Sequence, residues 1–306
     1  MTYTEEATLF ACQGDTLLGI LAKPETPADT AVVVVVGGPQ YRAGSHRQFV
    51  LLSRALASAG YAVLRFDYRG MGDSSGEPRD FESISADIAA AIDALQLRLP
   101  GVKRVVLWGL CDAAAAALLY CHETGDPRVT GLCLLNPWVR SEASLARTHV
   151  KHYYTHRLRE KQFWLKLLRG GVATKALEGV LQNFRMAFRR SSSISGAGTE
   201  KPSQNRSSPG AALTLQTPAP QNTFQQHMAT AWHKFPGHIQ LILSGDDYTA
   251  KEFQEFAKVD PAWKNYLHHA HLHLHEVPGV DHTFSSAASR QQAEKITLQW
   301  LVSLKT

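Results

Sequence analysis

LWGLCDAAAAALLY, residues 107–120, is the stretch that decides the fold. Its first residues are apolar enough for a buried strand, its alanine-rich second half is a strong helix former, and only a few residues separate the two. A strand that turns this sharply into a helix forces the corner residue into an unusual backbone conformation. It also presses the flanking residues against neighbouring elements, so those flanks must be small. Gly109 and Ala113 are the flanks and Cys111 is the corner. The pattern is Gly-x-Cys-x-Ala, a variant of the Gly-x-Ser-x-Gly nucleophile elbow. A sulfur held there sits at a helix N-terminus, where unpaired N–H groups and the helix dipole favour a thiolate. Cys12, Cys121 and Cys133 fall inside predicted elements and read as packing thiols. No Cys-x-x-Cys pair or metal-ligand spacing occurs, so neither a disulfide framework nor a zinc site is expected.

Outward from this corner, strands and helices alternate. EATLFACQGDTLLGILAKPE (6–25) reads as an antiparallel hairpin turning at Gln13-Gly14-Asp15. AVVVVVGG (31–38) is apolar on both faces, as a strand in the middle of a parallel sheet must be. HRQFVLLSRALASAG (46–60) is a helix closed by Gly60. YAVLRFDY is a strand, and the isoleucines at 84, 88 and 92 mark a helix before the strand RVVLWG. After the helix at 112–124 come the strand VTGLCLLN and, much later, HIQLILSG, HLHLHEV and a helix with Ile296, Trp300 and Leu304 in register. This order implies right-handed crossovers and a mostly parallel sheet covered on both faces.

The alternation breaks off after Asn136 and resumes near His238, so the intervening segment interrupts one domain. The core is expected over 1–139 and 235–306. Residues 140–190 read as a helical cap, 191–223, rich in Ser, Pro and Gly, as a disordered linker, and 224–234 as a helix returning to the core.

A nucleophile at an elbow needs an acid and a histidine following it in the chain. LILSGDD supplies Asp246 and Asp247 at a strand's C-terminal end, where sites in open α/β sheets lie. Asp247 is the preferred acid and Asp246 its rival. EVPGVDHTF places His282 in the loop after the last strand. An oxyanion hole would take the backbone N–H of Asp112 and a second from the Gly37-Gly38-Pro39-Gln40 loop. Pro39 has no N–H, which leaves Gly38 or Gln40, with Gln40 preferred.

With DYRGMGDSSG (Asp67, Arg69, Gly70, Gly72, Ser74), the elbow, the Asp247 strand end and the His282 loop, the sequence resembles the α/β-hydrolase superfamily in its serine-aminopeptidase-like branch. More narrowly, GGPQYRAGSHRQF, WGLCDAA and SGDDYTAKEF resemble the bacterial hydrolases termed exosortase A system-associated hydrolase 1, found alongside exopolysaccharide and protein-sorting genes. The resemblance implies an α/β-hydrolase fold: a mostly parallel central sheet, helices on both faces and a helical cap insertion. It departs from the usual pattern in Cys for Ser at the corner, in Ala113 for the last elbow glycine, and in Gly37 where a His often precedes the oxyanion glycine. DYRGMGDSSG itself reads as a turn beside the site.

The chemistry this points to is acyl hydrolysis, of an esterase or thioesterase kind, through a Cys111, His282, Asp247 triad and an acyl-thioenzyme, on an activated ester, thioester or lactone. An acyltransferase using the same intermediate and a scaffold with an idle site are the alternatives. No cofactor or metal is expected. His271, His273 and His275 share one face of an edge strand, with Leu272 and Leu274 turned to the core, and read as surface polar residues that discourage edge pairing. HVKHYYTHRLREKQFWLKLLRGG (149–171) combines basic and aromatic residues. It reads as a cap helix with a solvated basic face, with attraction of an anionic acyl substrate or peripheral contact with an acidic membrane as the other options. No nucleic-acid recognition module accompanies the net charge of +5, and no apolar run, such as residues 31–36, is long enough to span a bilayer. The start MTYTEEATLF lacks a secretory signal pattern, so a cytoplasmic location is expected.

Overall fold

The computed structural model describes residues 2–38, 40–140 and 223–304. The helical cap and the linker expected over 140–223 therefore lie outside the described residues, apart from Arg140 and Thr223. The unit that holds the sheet takes in Met1–Leu145 and Asn222–Thr306.

Eight strands form one sheet in the order β1-β2-β4-β3-β5-β6-β7-β8. They are β1 (Tyr3–Cys12), β2 (Asp15–Pro24), β3 (Thr30–Val35), β4 (Val63–Phe66), β5 (Arg104–Leu110), β6 (Val129–Leu135), β7 (His238–Ser244) and β8 (Leu272–Val277). β1 and β2 are antiparallel, as are β2 and β4, and every later pairing is parallel. The hairpin turns on Gln13 and Gly14 alone, both at positive φ, with Cys12 opposite Asp15. Two residues of that kind match the twist of the flanking strands.

The strands of the middle are apolar on both faces because both faces are covered. In β3, Ala31, Val33 and Val35 enter one core while Val32 and Val34 enter the other. The first core is shared with the helices α2 (Ser85–Arg98), α3 (Asp112–Thr124), α4 (Phe224–Lys234) and α5 (Tyr248–Val259). The second is shared with α1 (Gln48–Ser58) and α6 (Ala287–Ser303). α1 ends where Gly60, at φ +95°, lets the Tyr61 N–H reach back to the Leu56 carbonyl at 3.0 Å. Trp232 of α4 is fully buried among Phe253, Trp263 and Tyr266.

One expectation is corrected at the sheet's edge. Leu272 packs against the core, but Leu274 is 40% exposed. β8 is the last strand, and the covering helices leave part of it bare among the described residues. The His238 and His271 rings lie 4.7 Å apart beside it. No group of three or more His, Cys, Asp or Glu among the described residues is placed to hold a metal ion. No described helix is long and apolar enough to cross a membrane.

DYRGMGDSSG ties the hairpin, the sheet and α2 together. Buried Asp67 accepts the Arg42 N–H at 2.7 Å and the Asp73 N–H at 3.1 Å, and pairs with the Arg42 guanidinium. A Cβ at Gly72 would lie 2.2 Å from the Asp67 carboxylate, so this close approach requires glycine. Ser74 accepts the Leu18 N–H at 2.9 Å and donates to the Asp67 carbonyl at 2.6 Å. Arg69 is held by Asp87 of α2 through its backbone N–H at 2.8 Å and its guanidinium at 2.7 Å, with both side chains buried. Replacing Asp87 with Ala strands that guanidinium in the interior, which should lower the unfolding free energy by about 3–5 kcal/mol. Urea unfolding reads this as an earlier midpoint; an unchanged midpoint would show that water reaches Arg69.

Candidate active site

The parallel strands end at one edge, and the sequence-derived candidates gather there on four loops. After β3 the chain crosses to β4 on one side and after β5 to β6 on the other, so the two connections part and open a crevice between β3 and β5 at that edge.

Cys111 closes β5 and opens α3 with φ 64° and ψ −124°, a conformation costly for any side chain. It is fixed from several directions. Its N–H donates to the Leu135 carbonyl at 2.9 Å, and its carbonyl accepts the Ala114 N–H at 3.1 Å and the Trp138 N–H at 3.2 Å. A Cβ at Gly109 would stand 2.6 Å from the Ala113 backbone, so α3 can begin this close to β5 only over a glycine. Ala113 is completely buried, as the small second flank should be.

Asp247 follows β7 and is the N-cap of α5, where its carboxylate accepts the Thr249 N–H at 3.0 Å and the Ala250 N–H at 3.1 Å. The same carboxylate lies 2.8 Å from His282 Nδ1. Asp246 is exposed and is engaged through its backbone N–H, which donates to the Val280 carbonyl at 3.0 Å. Of the two rivals, the structure brings Asp247 to the ring. The Asp247 hydrogen bond raises the His282 pKa most, and the Cys111 thiol is the next-largest influence that raises it, to about 10 against the opposing pull of burial.

One positioning residue carried no signal in the sequence reading. Asn136, fully buried at the end of β6, donates to Ser244 Oγ at 2.9 Å and to the His282 carbonyl at 3.3 Å. Its Oδ1 accepts the Ser244 N–H at 2.8 Å. It thereby ties the acid's strand to the histidine's loop. An asparagine ending an otherwise apolar strand at the site edge was the available clue.

The oxyanion loop is arranged differently from the expectation. The Gln40 N–H donates to the Gly37 carbonyl at 3.3 Å, and the Gly38 N–H donates to the Asp112 carboxylate at 2.7 Å. Both named loop donors are thus engaged, because the short loop folds on itself and because Asp112 reaches across to it. Pro39 lies outside the described residues. A cavity of about 670 Å³ opens at the opposite sheet edge, between the starts of β3, β5, β6 and β7, and does not touch these residues.

Comparison with known proteins agrees with this architecture. Residues 32–294 match the Alpha/beta hydrolase family. The human protein ABHD12B is 37% identical over 117 residues, which is 36% of this chain and 31% of that protein, so the chain spans under a third of that curated relative. An esterase of Pyrococcus furiosus superposes with a TM-score of 0.61 at 16% identity, covering 98% of this chain and 93% of the other. A dienelactone hydrolase from Anabaena variabilis superposes at 0.58 with 13% identity, covering 99% of both. At these identities the two structures speak to the fold. Together with a match that runs from β3 into α6, the elbow and the eight-stranded sheet make the conclusion plain: the chain belongs to the alpha/beta hydrolase family.

Proposed function

We propose that the protein is an acyl hydrolase in which Cys111 is the nucleophile, His282 the acid and base, and Asp247 the residue that orients and charges the ring. The observation that carries this reading is the His282 ring held by Asp247 at 2.8 Å on Nδ1, with Cys111 near enough to act on the ring's pKa. With its pKa at about 10, the ring keeps a proton through the neutral range, which pairs an imidazolium with the sulfur.

In the first step Sγ forms a bond to the acyl carbon, the bond to the leaving group breaks, and His282 gives the leaving group its proton. In the second, water loses a proton to His282 and attacks the thioester, the C–S bond breaks, and the acid leaves. In this reading the Asp112 N–H at the start of α3 is one donor to the oxygen that becomes negative.

Sulfur narrows the substrate. Passing an acyl group from an alcohol to a thiol gives a less stable product, so thioesters, enol esters and lactones suit this nucleophile better than unactivated esters or amides. The narrower link to exosortase and exopolysaccharide systems rests on the loop and elbow motifs alone. Under it, a polysaccharide hydroxyl replacing water in the second step would make the enzyme an acyltransferase.

An acylating thiol probe tests the assignment. Burial pushes the Cys121 and Cys133 thiols up to about 12 and raises that of Cys12, so labelling should fall selectively on Cys111. His282→Ala should cut that labelling, and turnover of p-nitrophenyl acyl esters, by about a thousandfold or more. Labelling that follows exposure among the four cysteines, indifferent to His282, would mark a scaffold with an idle site.

A second test reads the ring directly. Asp247→Asn removes the first cause of the raised pKa, so NMR titration should find the His282 step moved from about 10 toward the ordinary imidazole value near 6.5. The sign for stability follows: a raised histidine stabilises the fold fully below about pH 6.5 and loses that contribution as pH climbs to about 10. The variant's stability should change less across that window; an unmoved ring would remove Asp247 from the triad.

A further inference from the structure

Gly38, the second of the two loop amides expected to polarise the substrate carbonyl, is already holding an anion, and the anion belongs to the protein. Asp112 Oδ2 accepts the Gly38 N–H at 2.7 Å, while Oδ1 accepts the Ala113 N–H at 3.0 Å. An ionised carboxyl group in this cradle occupies the Gly38 donor that a tetrahedral oxyanion would use, and its charge opposes a second negative oxygen beside it.

The space for it is created by Gly37. A Cβ on residue 37 would stand 2.1 Å from Asp112 Oδ1 and 2.9 Å from the Ala113 nitrogen, so any side chain there would expel the carboxylate. Glycine at 37, a departure from the superfamily pattern, and the acid that directly follows Cys111 therefore meet at one point.

We propose that the Asp112 side chain is a built-in occupant of the oxyanion hole, which must release the Gly38 N–H, by protonation or by turning away, before an acyl carbonyl can be activated there. This rests on the reading of Cys111 as the acyl-accepting residue. Burial, the first influence on the group, raises the Asp112 carboxyl above its usual range, with the Gly38 and Ala113 amides opposing. The other titratable groups that act on it are His282, from the loop after β8, and Tyr68, from the loop after β4; Cys111 is its neighbour in the chain. Protonation leaves Asp112 a weaker acceptor without charge, so the site opens as pH falls through the Asp112 titration.

The experiment compares Cys111 acylation by p-nitrophenyl acetate in wild type and Asp112→Ala across pH, as the ratio of the two rates. Each oxyanion donor is worth about 10²–10³-fold, so freeing one should make the variant about tenfold faster or more at neutral pH. The ratio should fall toward unity in acid, where wild type protonates. Asp112→Asn, which loses the charge but keeps an acceptor, should lie between the two and guards against misfolding of the alanine variant. In wild type the Gly38 amide resonance should titrate with the Asp112 carboxyl and lose that step in Asp112→Asn. Variants slower than or equal to wild type at neutral pH, or a Gly38 amide blind to pH, overturn the proposal. Acylation of Cys111 in neither protein, with the Gly38 titration intact, overturns the nucleophile assignment first and this inference with it.

Discussion

The arrangement depends on one strained residue. Cys111 is held at positive φ between a buried strand and a helix that begins within contact of it, and that closeness is possible only because residue 109 has no side chain. The strain costs on the order of 1–3 kcal/mol and persists because the surroundings over-determine it. Leu135 and Trp138 bind the corner's backbone from the end of β6, and the alanines of α3 let the helix settle flat on the sheet. Everything proposed for the chemistry inherits its geometry from this corner.

The same economy runs along the sheet edge. β5 gives the sulfur, β7 the carboxylate and the loop after β8 the ring, while Asn136 at the end of β6 fastens the last two to each other. On the far side of β3, Arg42 is anchored to Asp67, so the loop that carries Gly38 is tied to the turn that also grips the hairpin and α2. Rigid strands therefore position every group, and the loops contribute only the final few residues.

Much of this was legible in the sequence, for physical reasons. A strand apolar on both faces can only be central to a covered sheet, and a Gly-x-Cys-x-Ala corner before an alanine run has few other uses. What was not legible depended on neighbours distant in the chain. Asp246 and Asp247 are indistinguishable as a pair, and the choice is made by Asp247 capping α5 with its carboxylate turned to His282. Leu274 alternates as a core residue should, but its strand is the last in the sheet. The engagement of the Gly38 amide by Asp112 joins residues 74 positions apart, and no local pattern announces it.

The central claim is that acyl groups pass through the sulfur of residue 111. Rapid quenching of the enzyme during turnover of an acyl thioester, followed by peptide mass analysis, observes that directly. The account predicts an added acyl mass on the peptide containing Cys111, forming and decaying at least as fast as the enzyme turns over and abolished by Cys111→Ala. Product released at the full rate from the alanine variant, or an acyl mass on any other residue at a competent rate, would contradict it.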